Sequence, residues 1–420
     1  MLEVLRNAWK VKDLRKKILY TLLLLLVYRL ASFIAMPGIN PDLFRESIQG
    51  NQLLGLMDVF NGGALSNFTL LATGITPYIT ASIVVQLLTM AIPKLEAMSK
   101  EGAEGQKKIS KITRYVGVVL AFIQAVSIVW SMSYQHTGSV MYPTWYYYAF
   151  VGIIQAAGTA FTMWMGEHIT EKGIGNGTSL LIFINIISRL PQLLFSGLGG
   201  GANGPWLMLL IGVLALAIVV GVVFVDLGER RFPVQYAKRM VGRKMYGGQS
   251  THIPMKVSGS GVMPLIFAMT FVQFPGMIIN MFWSNSAFAV GYATVMGTGK
   301  WLNGVLTALF ILFFTYFYAT IAFNTTEISK NLQQHGGFIP GIRPGKPTSD
   351  FLSRSSNRIS LFNAIYLALL ATVPTIIAAY TGSNSPFGAT SVLIVVSVAL
   401  ETSRQLESHL MMRHYRGFLN

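Results

Sequence analysis

The sequence predicts an all-α, polytopic membrane protein with ten transmembrane helices. Of its 420 residues, 52% are hydrophobic and only 11% are charged, and the mean hydropathy is +0.53. Soluble domains are about a quarter charged. The apolar residues gather into runs close to the ~20 residues that a helix needs to cross a bilayer. Lysine and arginine alternate between the loops, which is typical of multi-pass proteins.

The N-terminal part begins with a basic tail, residues 1–17, whose mixed pattern predicts an amphipathic surface helix. The first apolar run, Ile18–Met36, has the basic flank of a signal sequence but the length of a full span, so we expect an uncleaved helix. Arg29 lies late in this run. A charge at a helix centre costs about 2.5 to 3.5 kcal/mol, which favours snorkelling of Arg29 to the far interface over a partner inside the bundle.

The second apolar segment is broken. A short apolar piece at residues 53–57 precedes the loop-like Asn61-Gly62-Gly63, and a full-length hydrophobic segment, Phe68 to Ile92, follows. Irregular backbone at membrane depth is tolerated only where it is buried in protein or lines a cavity. We therefore interpret the segment as part of a pore. On the break alone, an ordinary extracytoplasmic loop at residues 53–67 is an equal alternative.

Eight further apolar runs follow, and the pattern of the last one continues into the tail, so that its helix is expected to project into the cytoplasm. The fifth run is interrupted by Arg189 and Pro191. The eight runs are Tyr115–Met132, Trp145–Met165, Ser179–Leu198, Trp206–Val225, Val262–Phe282, Trp301–Phe323, Ile359–Tyr380 and Pro386–Leu400.

The basic residues predict the orientation, because cytoplasmic loops hold an excess of lysine and arginine. They concentrate in the two tails and in the loops after the even-numbered runs. Only Arg29, Arg45, Arg189 and Lys300 fall elsewhere among the 32. Both termini are therefore expected in the cytoplasm.

Ten spans divide into two halves of five, residues 18–198 and 199–400, followed by a cytoplasmic tail, residues 401–420. An odd number of spans gives the halves opposite orientation, and such inverted repeats place a pathway at their interface. This division follows from the span count, since the halves show no convincing residue-level similarity.

Several chemistries are excluded or disfavoured. Cysteine is absent, so disulfides and thiolate metal sites are excluded, and the six histidines lack metal-binding spacing. Residues 341–348 resemble a phosphate loop but have proline at two required positions, 340 and 347. Residues 173–177, Gly-Ile-Gly-Asn-Gly, follow no strand and predict a tight turn into the fifth span. A partner would have to supply energy for any work.

Glutamines are the notable polar residues in the spans. They are Gln86, Gln124, Gln155 and Gln273. Helix–helix hydrogen bonds, worth about 0.6 to 2 kcal/mol each, are the favoured explanation. The alternative is a weak polar seam between helices that must part.

Two basic loops, residues 227–258 and 324–358, are longer and more specific in sequence than a signal for membrane orientation requires. Residues 231–239 alternate in a way that predicts a hairpin strand, and Gly336–Gly345 form a Pro/Gly turn that presents Arg343. Attraction to anionic lipid would explain the charge at about 1 kcal/mol per basic residue. Docking of a large cytoplasmic partner, including one rich in RNA phosphate, is the functional alternative.

Four motifs in this order among ten spans resemble the SecY family, the channel subunits of protein translocases, over essentially the whole chain. They are Gly74–Ser82, Gly173–Gly177, Arg230–Arg239 and Gly336–Gly345. The resemblance implies a clamshell of the two five-helix halves around an hourglass pore. It also implies a protein-conducting channel without enzymatic activity or cofactor, in the bacterial plasma membrane, that passes unfolded preproteins and releases signal or transmembrane helices sideways into lipid.

The resemblance also implies site residues. Thr178 departs from the family, which commonly has an aliphatic residue there, and residues 258–264 differ from the usual Asn- and Ala-containing form. The implied pore ring comprises Ile75, Ile79, Thr178, Ile182, Ile266 and Ile394. The implied plug, about residues 53–66, contains Leu56, Met57, Phe60, Gly62 and Gly63.

The resemblance also implies a lateral gate, with the second and third spans on one side and the seventh and eighth on the other, that contains Gln86, Gln124 and Gln273. The implied docking surface contains Arg230, Arg231, Tyr236, Lys238, Arg239 and Arg343.

The partners that the resemblance implies are SecE, SecG, the SecA motor ATPase, the ribosome, signal peptides and membrane lipids. A ten-span secondary transporter for a small solute is the rival, because it would share the inverted repeat and the broken helix. Ion-coupled transporters normally place a carboxylate or histidine in the membrane, and the runs contain almost no ionisable group besides Arg29. A membrane scaffold without a pathway would not need a broken span.

Overall fold

The computed structural model describes most of the chain, and the statements below concern these residues. They are residues 2–50, 57–58, 60–135, 138–196, 204–236, 239–241, 244–246, 250–259, 263–283, 286–297, 300–381 and 389–416.

Helices dominate the described residues and overlap all ten predicted apolar runs. They are α1 (Leu2–Lys10), α2 (Lys12–Ala31), α3 (Pro41–Gly50), α4 (Thr76–Ala91), α5 (Pro93–Lys100), α6 (Ala103–Gln135), α7 (Trp145–Lys172), α8 (Gly177–Ser196), α9 (Gly204–Leu227), α10 (Met263–Trp283), α11 (Ala287–Met296), α12 (Trp301–Ala322), α13 (Thr325–Gln334), α14 (Lys346–Thr381) and α15 (Ala389–Arg416).

Length and hydropathy identify three stretches of described helix that could cross a membrane. They are Ala103–Ser133, Trp145–Lys172 and Trp301–Gln334, the last of which combines α12 and α13. A fourth candidate is the pair α4 and α5, which is bent by 100° at Ile92. The all-α membrane fold is therefore supported, although fewer helices satisfy these criteria than the ten runs predicted.

The second segment differs from its prediction as one apolar span from Phe68 to Ile92. Helix α4 begins only at Thr76, and residues 61–75 form consecutive turns with one isolated bridge. Phe68 and Gly74 have positive φ values of 40° and 53°, which no helix allows, and Pro77 lies in the first turn of α4, where its missing N–H is tolerated. The prediction of one helix from Phe68 was therefore wrong, and the break is longer.

Two of the hydrophobic clusters include α4 or the turn before it. The first collects buried residues from α2, α7, α8 and α15 around Ile75, just before α4. The second collects residues from α10, α12, α14 and α15 around Ile83 of α4. Because both clusters include residues of α15 and of the region of α4, these two helices lie where the two groups of helices meet.

The chain forms small sheets in the two long basic loops between α9 and α14. Strands β1 (Glu229–Tyr236) and β4 (Ser250–Lys256) are antiparallel, β5 (Gly337–Phe338) pairs with the other edge of β1, and β2 (Arg239–Val241) pairs with β3 (Lys244–Tyr246). The predicted hairpin strand is confirmed. Its pairing with β5 joins the two basic loops.

The predicted tight turn into the fifth span is also confirmed. Asn176 Oδ1 accepts hydrogen bonds from the N–H groups of Thr178 (3.1 Å) and Ser179 (3.4 Å), which caps the start of α8. A side chain at Gly177 would collide with the carbonyl oxygen of Gly166. The turn therefore allows α8 to pack closely on α7.

Candidate functional site

The structure brings five of the predicted ring residues to one apolar cluster. Ile75, Ile182 and Ile394 are buried in it, with exposed fractions of 1%, 4% and 1%, and Ile79 and Ile266 pack against it. These residues come from the turn before α4 and from α4, α8, α10 and α15. Branched apolar side chains that converge in this way exclude water, as the predicted ring requires.

Thr178 lies in the first turn of α8 and is half-buried. It precedes Ile182 by four residues, so the two side chains lie on the same face of the helix. Its position is therefore compatible with the predicted ring, although its hydroxyl introduces a polar group.

The predicted plug is folded into the protein where the structure describes it. Met57 is buried, Phe60 is half-buried, and both Gly62 and Gly63 are buried, whereas Leu56 lies outside the described residues. Residues 61–65 are buried although they form no helix. The alternative of an ordinary extracytoplasmic loop would leave these residues exposed. We call residues 57–66 of this predicted plug, without the undescribed residue 59, the plug segment.

Charged and amide side chains hold the plug segment against α2 and α8. Asp58 forms an ion pair with Arg189, which also donates to Ser66 Oγ (2.8 Å). Arg29 donates from both terminal nitrogens to the Gly62 carbonyl oxygen (3.2 Å each), and Asn185 Nδ2 donates to the Phe60 carbonyl oxygen (2.9 Å). We call Arg29, Asp58, Asn185 and Arg189 the latch.

The latch corrects the prediction for Arg29. Snorkelling to the far interface was wrong, because its guanidinium is directed to Gly62 inside the protein and also lies 5.2 Å from the centre of the Phe33 ring. A peptide carbonyl and an aromatic face partly replace the water that the charge loses. The partner, 33 residues away, had no signal in the hydropathy pattern.

Two glycines make the latch possible. Gly62 has a φ of +63°, and a Cβ there would lie 2.7 Å from Arg29 Nη1; Gly63 has a φ of +89°, and a Cβ there would lie 2.8 Å from Arg189 Nε. Both the backbone conformation and the close approach of the arginines therefore require glycine.

Buried amides connect the plug segment to the start of α4. Asn61 Nδ2 donates to the Ala72 carbonyl oxygen (2.9 Å), and Asn61 Oδ1 accepts from Thr76 Oγ1 (3.2 Å). Gln155 Nε2 donates to the Thr69 carbonyl oxygen (2.6 Å). Gln155 thus binds irregular backbone, not another helix as the favoured explanation of the span glutamines predicted.

The three predicted gate glutamines have different environments. Gln86 on α4 accepts a hydrogen bond from the Tyr318 hydroxyl on α12, so it joins two helices that the prediction placed on opposite sides of the gate. Gln124 on α6 is buried and contacts Met57 Sδ at 4.0 Å, in the plug segment. Gln273 lies on α10, and its side chain is outside the described residues. Tyr318 was missed because no sequence pattern pairs it with Gln86.

The predicted docking residues lie on the joined basic loops. Phe232 and Val234 of β1 are buried against α13 and α14, while Arg231 faces outward and forms an ion pair with Glu229. Tyr236 is half-buried beside Gly337, and Arg230 lies over the Phe232 ring at 5.3 Å. Lys238 lies outside the described residues. Arg239 begins β2, and its side chain is likewise not described.

Arg343 is exposed on a turn whose backbone is held by side-chain hydrogen bonds. Thr348 Oγ1 donates to the Arg343 carbonyl oxygen (2.8 Å), and Ser329 Oγ donates to the Gly345 carbonyl oxygen (2.6 Å). Gly341 and Gly345 have positive φ values of 83° and 94°. The guanidinium is therefore presented on a defined backbone and can meet an acidic or phosphate group.

Comparisons with known proteins agree over the whole chain. A family model for SecY matches residues 69–403. The chain is 44% identical to the protein translocase subunit SecY of Streptomyces coelicolor and 41% identical to that of Mycobacterium bovis, over 100% of both chains in each case. The fold resembles a solved protein-conducting channel at 21% identity, with a TM-score of 0.65 and coverage of 93% of this chain and 91% of that one. It also resembles Sec61 in a canine ribosome-channel complex, at 20% identity, with a TM-score of 0.59 and coverage of 93% and 91%. By its sequence and its fold, this chain belongs to the SecY family.

Proposed function

We propose that the chain is the protein-conducting channel of a bacterial protein translocase, in the plasma membrane, and not an enzyme. The observation that carries the proposal is the apolar cluster around Ile75, Ile182 and Ile394, closed on one side by a buried plug segment, in a chain that matches translocase subunits from end to end. The small-solute transporter receives no support from these relatives.

The channel has ten spans in two inverted halves, both termini are cytoplasmic, and the halves form a clamshell around an hourglass pore. Ile75, Ile79, Ile182, Ile266 and Ile394 form its neck, with Thr178 at the edge. Branched apolar side chains exclude ions yet move aside for an extended polypeptide, because no specific bond has to break. The shared cluster supports this ring, and Thr178 makes one part of it more polar.

The plug segment is the second seal, and the latch holds it at rest. Its contacts are to α2 and α8, both in the half formed by residues 18–198. A translocating chain has to displace these contacts as well as the isoleucines. The resting channel is therefore closed both by the apolar isoleucines and by the ion pair of the latch.

The lateral gate runs between α4 and α6 on one side and α10 and α12 on the other. The hydrogen bond from Tyr318 to Gln86 supports this position, since it is a polar link that an arriving signal helix can replace. The helix then leaves sideways into lipid. Gln124, which contacts Met57, connects the gate to the plug segment. Gln273 remains a proposed gate residue on α10.

SecE and SecG accompany the channel, and SecA or the ribosome docks on the joined basic loops. One neighbouring structure is described as Sec61 in a ribosome-channel complex and another as an Ssh1 complex bound to the yeast 80S ribosome. The exposed Arg343 and the sheet that joins both loops support a docking surface for such partners.

The test is ATP-driven protection of a secretory preprotein in proteoliposomes that contain the chain with SecE, SecG and SecA. We predict that Arg343→Glu reduces motor-driven transport to background, because it reverses the charge that the turn presents, while insertion into the membrane is unchanged. Lys94→Glu, the same charge reversal at an exposed lysine of another cytoplasmic loop, is the control and should retain transport.

The outcomes separate the parts of the proposal. Parental rates in Arg343→Glu would refute the docking role of this residue. Absence of transport by the parental chain, with all partners active on another channel, would contradict the proposed function.

A further inference from the structure

Helix α11 connects α10 and α12 on the side proposed to be extracytoplasmic, yet it is apolar. Phe288, Val290 and Val295 are 65%, 62% and 51% exposed. Residues 257–299 contain no charged residue and no histidine. If this connection lay in water, the exposure of these side chains would cost a free energy of about 25 cal/mol per Å² of apolar surface.

Helix α11 is capped at its start and is held beside α10 and α12 by contacts of Tyr292 and Asn303. Ser286 Oγ accepts from the Ala289 N–H (3.2 Å) at its start, and Asn303 Nδ2 of α12 donates to the Met296 carbonyl oxygen (2.6 Å) at its end. The Tyr292 hydroxyl also lies beside the backbone of Gly276 in α10. Gly276 lies seven residues before the end of α10, about 10 Å along a helix that rises about 1.5 Å per residue. Tyr292 therefore reaches down beside the outer turns of α10.

The exposed face of α11 continues a larger apolar surface. On α12, Val305, Leu309 and Phe313 are exposed, and Phe274 and Ile278 are exposed on α10. Trp301, exposed where α12 begins, is the residue type that marks the headgroup level of a bilayer. An uncharged face that continues two lipid-facing helices fits acyl chains, which exclude charge.

We propose that α11 is an interfacial helix embedded in the outer leaflet, with Phe288, Val290 and Val295 in contact with acyl chains. This inference rests on the proposed orientation, which puts residues 284–299 outside the cytoplasm. Because Tyr292 and Asn303 fix α11 to α10 and α12, any movement of these gate helices moves α11 through the lipid of that leaflet.

Nitroxide accessibility tests this directly, because the chain has no native cysteine to remove. Single variants Val290→Cys and Val295→Cys are spin-labelled in proteoliposomes of the whole complex, and collision with oxygen and with a water-soluble nickel chelate is measured. Val305→Cys on α12 is the lipid control, and Asp42→Cys, whose side chain is 82% exposed, is the aqueous control. We expect oxygen-to-nickel ratios at 290 and 295 to match Val305→Cys and to exceed Asp42→Cys several-fold.

Two results would overturn the inference. A ratio equal to that of Asp42→Cys would place α11 in water, and low collision with both reagents would mean that protein covers it. Preprotein transport by each labelled variant separates this inference from the proposed function. Retained transport with aqueous labels defeats only the inference, whereas loss of transport in the unlabelled parent defeats the proposed function.

Discussion

Asp58 and Arg189 form an ion pair whose side chains are 6% and 18% exposed. Such a pair loses most of its hydration and is stable only when further hydrogen bonds accompany it. Here Ser66 supplies them, because its N–H donates to Asp58 Oδ1 (2.7 Å) and its hydroxyl accepts from Arg189. The arrangement therefore stabilises one position of the plug segment more specifically than apolar contact alone.

Breaking one side of this pair should open the seal. We predict that Arg189→Gln increases the ion conductance of the resting channel in planar bilayers, because an unpaired buried carboxylate costs about 3 to 5 kcal/mol. The double variant Asp58→Asn with Arg189→Gln should leak less than Arg189→Gln alone, since no buried charge then lacks a partner.

Arg114→Gln is the matched control for this prediction. It also removes an arginine from a carboxylate pair, with Glu167 at 2.6 Å, but the Arg114 side chain is 50% exposed and neither residue belongs to the latch. Exposed pairs contribute at most about 1 kcal/mol. Equal, low conductance in Arg189→Gln and the parental channel would rule out a latch.

Sequence reasoning identified the glycines of the plug segment but not its charged partners. Asp58 and Arg189 are 131 residues apart; Arg189 was read as an interruption of the fifth apolar run, and Asp58 was not singled out. Hydropathy measures one stretch at a time, so a pair between stretches gives no signal. A signal that could have found them is the joint presence of a few isolated charges, Arg29, Asp58 and Arg189, in otherwise apolar regions.

At the scale of the elements, α4 and α15 both contribute residues to the two clusters. Ile75 and Ile79, at the start of α4, contact the cluster of α2, α7 and α8, and Ile83 belongs to the cluster of α10, α12 and α14. A movement between the two groups of helices would therefore change the packing around both α4 and α15. The polar link of α4 to α12 is the hydrogen bond between Tyr318 and Gln86.

Removal of this link should favour the open gate. We predict that Gln86→Leu and Tyr318→Phe each increase secretion of preproteins with defective signal sequences. One interhelical hydrogen bond of about 0.6 to 2 kcal/mol changes the ratio of closed to open channels by about 3-fold to 30-fold. The double variant should resemble either single one, because the two residues share one interaction.

Tyr316→Phe is the control for the gate variants. The Tyr316 hydroxyl donates to the Asn357 carbonyl oxygen (3.4 Å), a bond between α12 and α14 within one group of helices. Unchanged signal selectivity in Gln86→Leu, or an equal effect of Tyr316→Phe, would contradict a gate at this seam.

Element prediction succeeded where the pattern is local. The apolar runs became helices, the alternation of β1 became a strand, and Gly173–Gly177 became the turn before α8. It failed at residues 68–75, where the composition is apolar but Asn61 and Gln155 satisfy a non-helical backbone from a distance. Hydropathy does not distinguish a buried turn from a buried helix.

At the scale of the whole molecule, the two ends of the chain meet. Helix α1 packs on α15, and Ala8, Leu14, Ile174 and Leu406 form one buried cluster. The N-terminal tail was predicted as an amphipathic surface helix, and the structure confirms a helix with one face on α15. Arg404 of α15 also donates to the Asp226 carbonyl oxygen (2.6 Å) at the end of α9. These contacts stabilise the proposed cytoplasmic face.

The proposed orientation predicts a labelling pattern. In the cysteine-free chain, Lys10→Cys and Lys346→Cys should react with a membrane-impermeant maleimide only from the cytoplasmic side, because they lie in basic cytoplasmic segments. Arg45→Cys should react only from the opposite side. Reaction of all three from one side would contradict ten spans with alternating loops.

The central claim is that an extended polypeptide passes through the isoleucine ring. The most direct measurement places single cysteines at Ile79 and Ile182 and stalls a preprotein with one cysteine midway through SecA-driven transport. We predict disulfide crosslinks at both positions that depend on ATP and are absent from the lipid-facing control Leu309→Cys. Proven transport without a crosslink at either position would contradict this ring.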